Sequence, residues 1–195
     1  MSILLVDDFD EEREFLQTVL LKAGYGPVVT AESGRQALER LGIMGRRISA
    51  CDPDVILMDL MMPDIDGLEA CRQIRSSERL EHTPIIMITA KTETADLQAA
   101  YAAGATDFLR KPITPVELVA RVSTALSLKQ ELDARILREQ EQRARELLMK
   151  HRRGLDLVAQ SLLDNETIDG AMVSRLIQQG LGEPSKLPND SKPNV

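Results

Sequence analysis

The stretch VILMDLMMPDIDG, from Val55 to Gly67, decides how the chain is read. Four apolar residues lead into Asp59, and two methionines, a proline and an Asp-Gly turn follow. A bare carboxylate at the end of an apolar run is costly unless something requires it there. Working outward, short apolar runs of the same kind recur at ILLV (3–6), PVVTA (27–31), DVILMDL (54–60), PIIMITA (84–90) and TDFLRK (106–111). Helical patterns separate them. One runs from about Asp10 to Ala23 with Phe15, Val19 and Leu20 on one side, and others cover 33–42, 67–78 and 94–105. Ser33 is placed to cap the second, and a fifth helix starts near Thr114 with Pro115 at its first position. Continuously apolar strands alternating with helices are buried on both faces, which predicts an α/β fold with a parallel sheet between helical layers.

Ligands of such sheets gather at the carboxyl ends of the strands. There the sequence places Asp7 and Asp8, Asp59, Thr89 and Lys111. Three carboxylates on one rim repel one another and destabilise the fold unless a cation joins them. Hard oxygen ligands of this kind suit Mg²⁺, which leaves positions open for phosphate oxygens. Lys111 adds a second positive charge and Thr89 a hydroxyl. The pattern points to a phosphoryl site with Asp59 as the covalent acceptor.

Composition narrows the alternatives. The hydrophobic share of 43% supports a real core, but aromatics make up 3% and Trp is absent, so that core must be aliphatic. Residues 1–125 hold 20 acids and 13 bases, whereas 126–195 hold 11 of each. An acidic first part argues against a nucleic-acid groove there. Cys51 and Cys71 have no Cys-x-x-Cys spacing and read as reduced, unremarkable thiols. Met1 runs almost directly into the first strand without a charged leader, and no apolar run approaches a membrane span. The expectation is a soluble, cytoplasmic protein.

Five motifs in register, LLVDD, LMDLMMPDIDG, MITA and FLRKPI among them with their helices between, carry a resemblance: residues 1 to about 125 resemble the receiver domain of two-component response regulators (CheY-like). The resemblance implies a flavodoxin-like five-stranded sheet in the order 2-1-3-4-5, an arrangement that the general rule for open sheets itself illustrates with a member of this family. It implies Asp59 as phosphoacceptor. Asp8 would bind Mg²⁺ directly, Asp7 mostly through water, and the Met61 carbonyl would complete the protein ligands. Lys111 would hold phosphoryl oxygens, with a cis Lys111–Pro112 bond. Thr89 and Phe108 would be the switch hydroxyl and switch aromatic. Tyr101 lies off that position and reads as packing or exposed surface. Asp64 and Asp66 read as turn chemistry beside Gly67. The implied partners are a sensor histidine kinase or phosphotransfer protein and a downstream protein target. The chain is not an enzyme beyond autophosphorylation from small phosphodonors and autodephosphorylation.

Two departures stand out. The connection from Leu38 to Asp59 is long for the family, as an extended helix or an extra loop. Met61 and Lys91, two beyond Asp59 and Thr89, should hinder an attacking water and lengthen the life of a phosphoform.

Beyond the receiver (1–125) the fifth helix runs on as an extended, exposed signalling helix (126–153), rich in helix formers and open to homodimer or coiled-coil contact. Glu139 and Arg143 fall in the core of its seam and argue against a tight coiled coil along the whole length. Glu131–Arg135, Glu139–Arg143 and Glu141–Arg145 are spaced for surface pairs, and Val122, Ala125, Lys129, Leu132, Ile136 and Leu147 trace a seam. Residues 154–181 read as a helical hairpin of two short helices, with Thr167 or Asp169 capping the second. The Pro-, Ser- and Asn-rich 182–195 read as a disordered tail that ends the chain. The segment 135–153 is basic, but glutamates interleave it and the hairpin is acidic, so the reading is output through protein contact, with no membrane and no nucleic acid. The alternatives are a DNA-binding transcriptional regulator using the C-terminal helices, or the regulatory part of a longer output enzyme.

Overall fold

The computed structural model describes residues 1–45, 51–90 and 94–181. It divides into two compact units, Met1–Asp133 and Ala134–Val195. The first alternates strands and helices: β1 (Ile3–Val6), α1 (Asp10–Lys22), β2 (Val28–Ala31), α2 (Gly34–Arg40), β3 (Val55–Asp59), α3 (Gly67–Arg75), β4 (Ile85–Thr89), α4 (Thr94–Ala102), β5 (Asp107–Arg110) and the start of α5 (Pro115–Asn165). The five strands are parallel, in the order β2-β1-β3-β4-β5.

Strand periodicity divides the core into two layers. Ile3 and Leu5 of β1, Val55 and Leu57 of β3, Ile86 and Ile88 of β4 and Leu109 of β5 pack with Leu16 and Leu20 of α1 and Leu118 and Val122 of α5. The alternate residues, such as Leu4, Ile56, Met58 and Met87, pack with Leu38 of α2, Ile74 of α3 and Ala100 of α4. All of β1, β3 and β4 is buried, because helices cover both faces.

Local chemistry sets the helix ends. The Ser33 hydroxyl accepts from the Gln36 amide, as its position predicts, and Asp66 accepts from Glu69 at the start of α3. On α1 the sequence reading needs correction: Leu16 is buried with Leu20, while Phe15 is 46% exposed. α2 stops at Arg40, so the added length before β3 is not an extended helix; residues 46–50 within it lie outside the described residues. Cys71 is buried and its thiol donates to the Ala103 carbonyl.

α5 extends unbroken from Pro115 through Asn165, past Gly154, where the sequence suggested a new helix. The first arm of the expected hairpin is therefore the end of α5, and the second is α6 (Gly170–Gly180), capped by the Asp169 side chain on the Met172 amide. The surface pairs also differ from expectation. Arg135 bonds Glu139 at 2.9 Å and Lys129 bonds Asp133 at 2.6 Å, base first in both.

Arg75, at the end of α3, is the main polar tie in the first unit. Its guanidinium donates to the carbonyls of Gly104, Leu80, Glu81 and Thr83 at 2.7–3.2 Å, and burial lowers its pKa. Replacing it strips donors from several partly buried carbonyls at once. Arg75→Leu is therefore expected to lose roughly 2–4 kcal/mol, the range for a broken buried polar network, read from urea unfolding; an unchanged midpoint would contradict this role.

Candidate functional site

The site forms where β1, β3, β4 and β5 end. Asp7 follows Leu5 in the alternation of β1, Asp59 follows Leu57 in β3, and Lys111 follows Leu109 beyond β5. All three thus continue the face shared with α1 and α5. The structure brings them together: Lys111 Nζ lies 2.9 Å from Asp59 Oδ1 and 3.2 Å from Asp7 Oδ2. A third carboxylate joins from the first turn of α1, with Glu12 Oε2 at 2.8 Å. Sequence reasoning missed Glu12, although the run of acids immediately after β1 (Asp10, Glu11, Glu12) was a visible signal.

Asp7 is fully buried and Asp59 nearly so. Burial pushes the Asp59 carboxyl above its ordinary pKa, against the pull of Lys111. The Asp7 carboxyl is raised for the same reason, against the Phe9 amide and Lys111. Burial opposes the charge on Lys111, but its hydrogen bonds to Glu12 and Asp59 outweigh it and hold the ammonium above the ordinary lysine range. The other Asp59 oxygen accepts from the Met61 amide at 3.1 Å, and an Asp7 oxygen accepts from the Phe9 amide at 2.9 Å. Met61 itself is exposed, open to solvent above Asp59 in sequence.

Thr89 ends β4, buried, and its carbonyl accepts from the Lys111 amide at 2.9 Å. The Lys111–Pro112 peptide is cis, as the resemblance implies, and so is Gly26–Pro27. Phe108 is half-buried against the α2–α4 layer, and Tyr101 of α4 meets its ring edge-on, with centroids 6.2 Å apart. Tyr101 is therefore a partner of Phe108 although its other half is exposed. Lys91 lies outside the described residues.

Asp8 carries the observation that bears on a cation. Its Oδ1 is buried with no hydrogen-bond partner, and such an oxygen calls for a donor or a metal. Asp7 and Asp59, at the ends of β1 and β3, offer hard oxygens of the kind that fit Mg²⁺. Where the sequence predicts three carboxylates gathered about a cation, however, the structure joins two of them through Lys111. Among the described residues no three acidic, His or Cys side chains stand ready as a metal cage.

The loop after Asp59 is held by backbone contact. The Gly67 amide donates to the Leu60 carbonyl, and a Cβ at Gly67 would stand 2.3 Å from the Asp59 carbonyl oxygen. Gly34 of α2 is similarly pressed against the Ile65 carbonyl. Asp64 adopts a left-handed backbone (φ 68°) and pairs with Arg35 of α2 at 2.7 Å, and Asp66 caps α3, so both serve the turn. Overpacking costs about 1–3 kcal/mol. Gly67→Ala is expected to lose that much in thermal unfolding, whereas Gly170→Ala, which meets open space, should not.

Residues 3–123 match the family described as response regulator receiver domain. The transcriptional regulatory protein GltR of Pseudomonas aeruginosa is 43% identical over 129 residues, 64% of this chain and 48% of that protein. The DNA-binding response regulator MtrA of Mycolicibacterium smegmatis is 37% identical over 135 residues, 69% of this chain and 54% of that protein. The chain thus spans about half the length of these curated relatives. Among solved structures, a response regulator from Chloroflexus aurantiacus is 37% identical with a TM-score of 0.57, covering 65% of this chain and 97% of that one. The receiver domain of a Pseudomonas aeruginosa sensor histidine kinase, solved with a magnesium ion coordinated in the active site cleft, is 32% identical with a TM-score of 0.56 and covers 65% and 97%.

Proposed function

The chain belongs to the response regulator receiver domain family, and on that premise we propose that it accepts a phosphoryl group on Asp59 and relays the signal through protein contacts. The observation that carries this reading is the 2.9 Å contact between Asp59 and Lys111 at the buried end of the central strand. In the proposed step an Asp59 carboxylate oxygen attacks the phosphorus of a phosphohistidine. The P–N bond breaks, the imidazole leaves with the electron pair, and an acyl phosphate forms. Lys111 then turns from its carboxylates to the new phosphoryl oxygens, and Thr89 supplies a hydroxyl to them. Phe108 moves with Thr89, and Tyr101, which meets it edge-on, feels the change. Asp7, Asp8, Asp59 and the Met61 carbonyl would hold Mg²⁺, which would supply positive charge to offset the phosphoryl oxygens.

The partner that delivers the phosphoryl group is a sensor histidine kinase or phosphotransfer protein. Phe9 and Phe15 support this: both are exposed on the α1 side of the rim, and Phe15 lines an apolar groove with Val19, Val116 and Val119. Residues 1–125 form the phosphoacceptor part, 126–153 the signalling helix and 154–181 the output hairpin; 182–195 lie outside the described residues. Among the described residues no helix is long and apolar enough to cross a membrane, and we place the protein in the cytoplasm.

A second reading has its own support. GltR and MtrA are by name transcriptional and DNA-binding regulators, so the charge argument against nucleic acid receives no backing from the relatives. Their match is confined to about half of their length. A gel shift across salt concentrations separates the readings: sequence-selective, salt-sensitive binding by the phosphorylated chain would favour DNA output.

Incubation with acetyl phosphate and Mg²⁺ should label the native chain. Asp59→Asn should abolish the label, and chelating the metal should prevent it; a label that survives Asp59→Asn would overturn the assignment. With Met61 beside the acceptor, the phosphoform should outlast seconds in a decay assay, and faster loss would remove Met61 as a shield.

A further inference from the structure

The second unit leaves an apolar line uncovered. On the distal part of α5, Leu148, Leu155 and Leu162 stand seven residues apart and therefore on one side of the helix. They are 62%, 43% and 41% exposed. α6 covers the neighbouring face and not this one. A Cβ at Gly154 would lie 2.7 Å from Ile177 Cα, and one at Gly180 would lie 2.2 Å from the Gly154 amide nitrogen, so α6 crosses α5 in backbone contact there. Gly154 is rotated about 100° from Leu155 at one residue per 3.6-residue turn, which sets the leucine line to the side of the α6 contact. Ala144 continues the line one turn before Leu148. A line of large aliphatic side chains at heptad spacing is the pattern by which helices recognise helices.

The charges along the same helix identify what covers it. Between Arg143 and Arg153 there are five bases and one acid, Glu146. From Gly154 to the end of α5 at Asn165 there are two acids (Asp156, Asp164) and no Lys or Arg, and the turn that follows adds Glu166 and Asp169. A parallel copy would set base against base and acid against acid. An antiparallel copy sets the basic half of each helix against the acidic half of the other. With Leu155 on the two-fold axis, Leu148 of each copy meets Leu162 of the other, and Arg143 and Arg145 come level with the segment holding Asp164 and Glu166. The apolar register thus lays the basic stretch of each copy along the acidic stretch of the other, although Glu146 comes level with Asp164, and the leucine line matches itself about the axis as an isologous contact requires.

We propose that this face binds a second copy of the chain, antiparallel, the two hairpins joining as a four-helix bundle. The contact does not depend on the phosphoryl reading, since it uses none of the receiver's residues.

The test uses the full chain with Cys51 and Cys71 replaced by Ser, in three single-cysteine forms. Leu155→Cys should cross-link to a dimer under mild oxidation. Leu148→Cys alone should cross-link at least tenfold less, since its two copies would sit about 21 Å apart along the axis. Mixing Leu148→Cys with Leu162→Cys should restore the dimer. Light scattering of the native chain should give a dimer that Arg145→Glu weakens at least tenfold and that adding Asp164→Arg recovers. A native monomer, equal cross-linking of Leu148→Cys and Leu155→Cys, or no recovery by the double charge swap would each overturn the proposal.

Discussion

One ammonium group among buried carboxylates sets the terms for the first unit. Lys111 reaches Asp59, Asp7 and Glu12 within 3.2 Å, and two of those acids are almost wholly removed from water. Two like charges at the end of adjacent strands would not both stay ionised without it. A buried charge is tolerated only when paired and hydrogen-bonded, and here each acid also accepts a main-chain amide, from Phe9 or Met61. One ammonium offsets only one of the three carboxylates it touches, and it stands at the end of a flexible side chain. A phosphoryl group on Asp59 would present more negative charge than Glu12 does, so the same attraction that holds the resting state would draw Lys111 away from it.

The sheet makes that arrangement possible through simple alternation. Strand residues of one parity bury toward α1 and α5, and those of the other parity bury toward α2, α3 and α4. Asp59 at the end of β3, and Asp7 and Lys111 one step beyond β1 and β5, fall on the α1 side, where Glu12 lies on the first turn of the helix. Thr89 follows Ile85 and Met87 instead, on the parity of the other layer, to which Phe108 also belongs. The charged cluster and the pair Thr89 and Phe108 thus sit on opposite parities of neighbouring strands, linked by the Lys111 amide and the Thr89 carbonyl. Gly67 and Gly34 let the intervening loop close tightly enough to keep Asp59 in place.

What could be read from the sequence follows from how local each cause is. The strands and the residues at their ends were legible because apolar runs and a spaced set of charges are local signals, whereas the order of the strands came only from the resemblance to the receiver family. Ser33 and Asp169 were legible as caps for the same reason. Glu12 was not singled out, because its role depends on Lys111, 99 residues away in the chain. The choice between Phe15 and Leu16 as the buried face of α1 turned on one helical step of rotation, which is set by packing against Val122 and its neighbours rather than by α1 itself. The Asp8 oxygen without a partner has no sequence signature at all, since burial and hydrogen bonding are tertiary facts.

Gly154 shows the same limit most clearly. Inside a helix glycine costs about 1 kcal/mol relative to alanine, and a sequence reader places a break there. The structure instead carries α5 straight through it and brings α6 close enough that any side chain would collide with Ile177. Gly180 meets the same point from the other helix. Two glycines facing each other remove the side chains that would otherwise hold the helices apart, so the conformational cost is offset by backbone packing between them. That close crossing fixes which side of α5 the second helix covers. The face left open, with its leucines and its opposed blocks of charge, follows from the position of one glycine that looked like an ending.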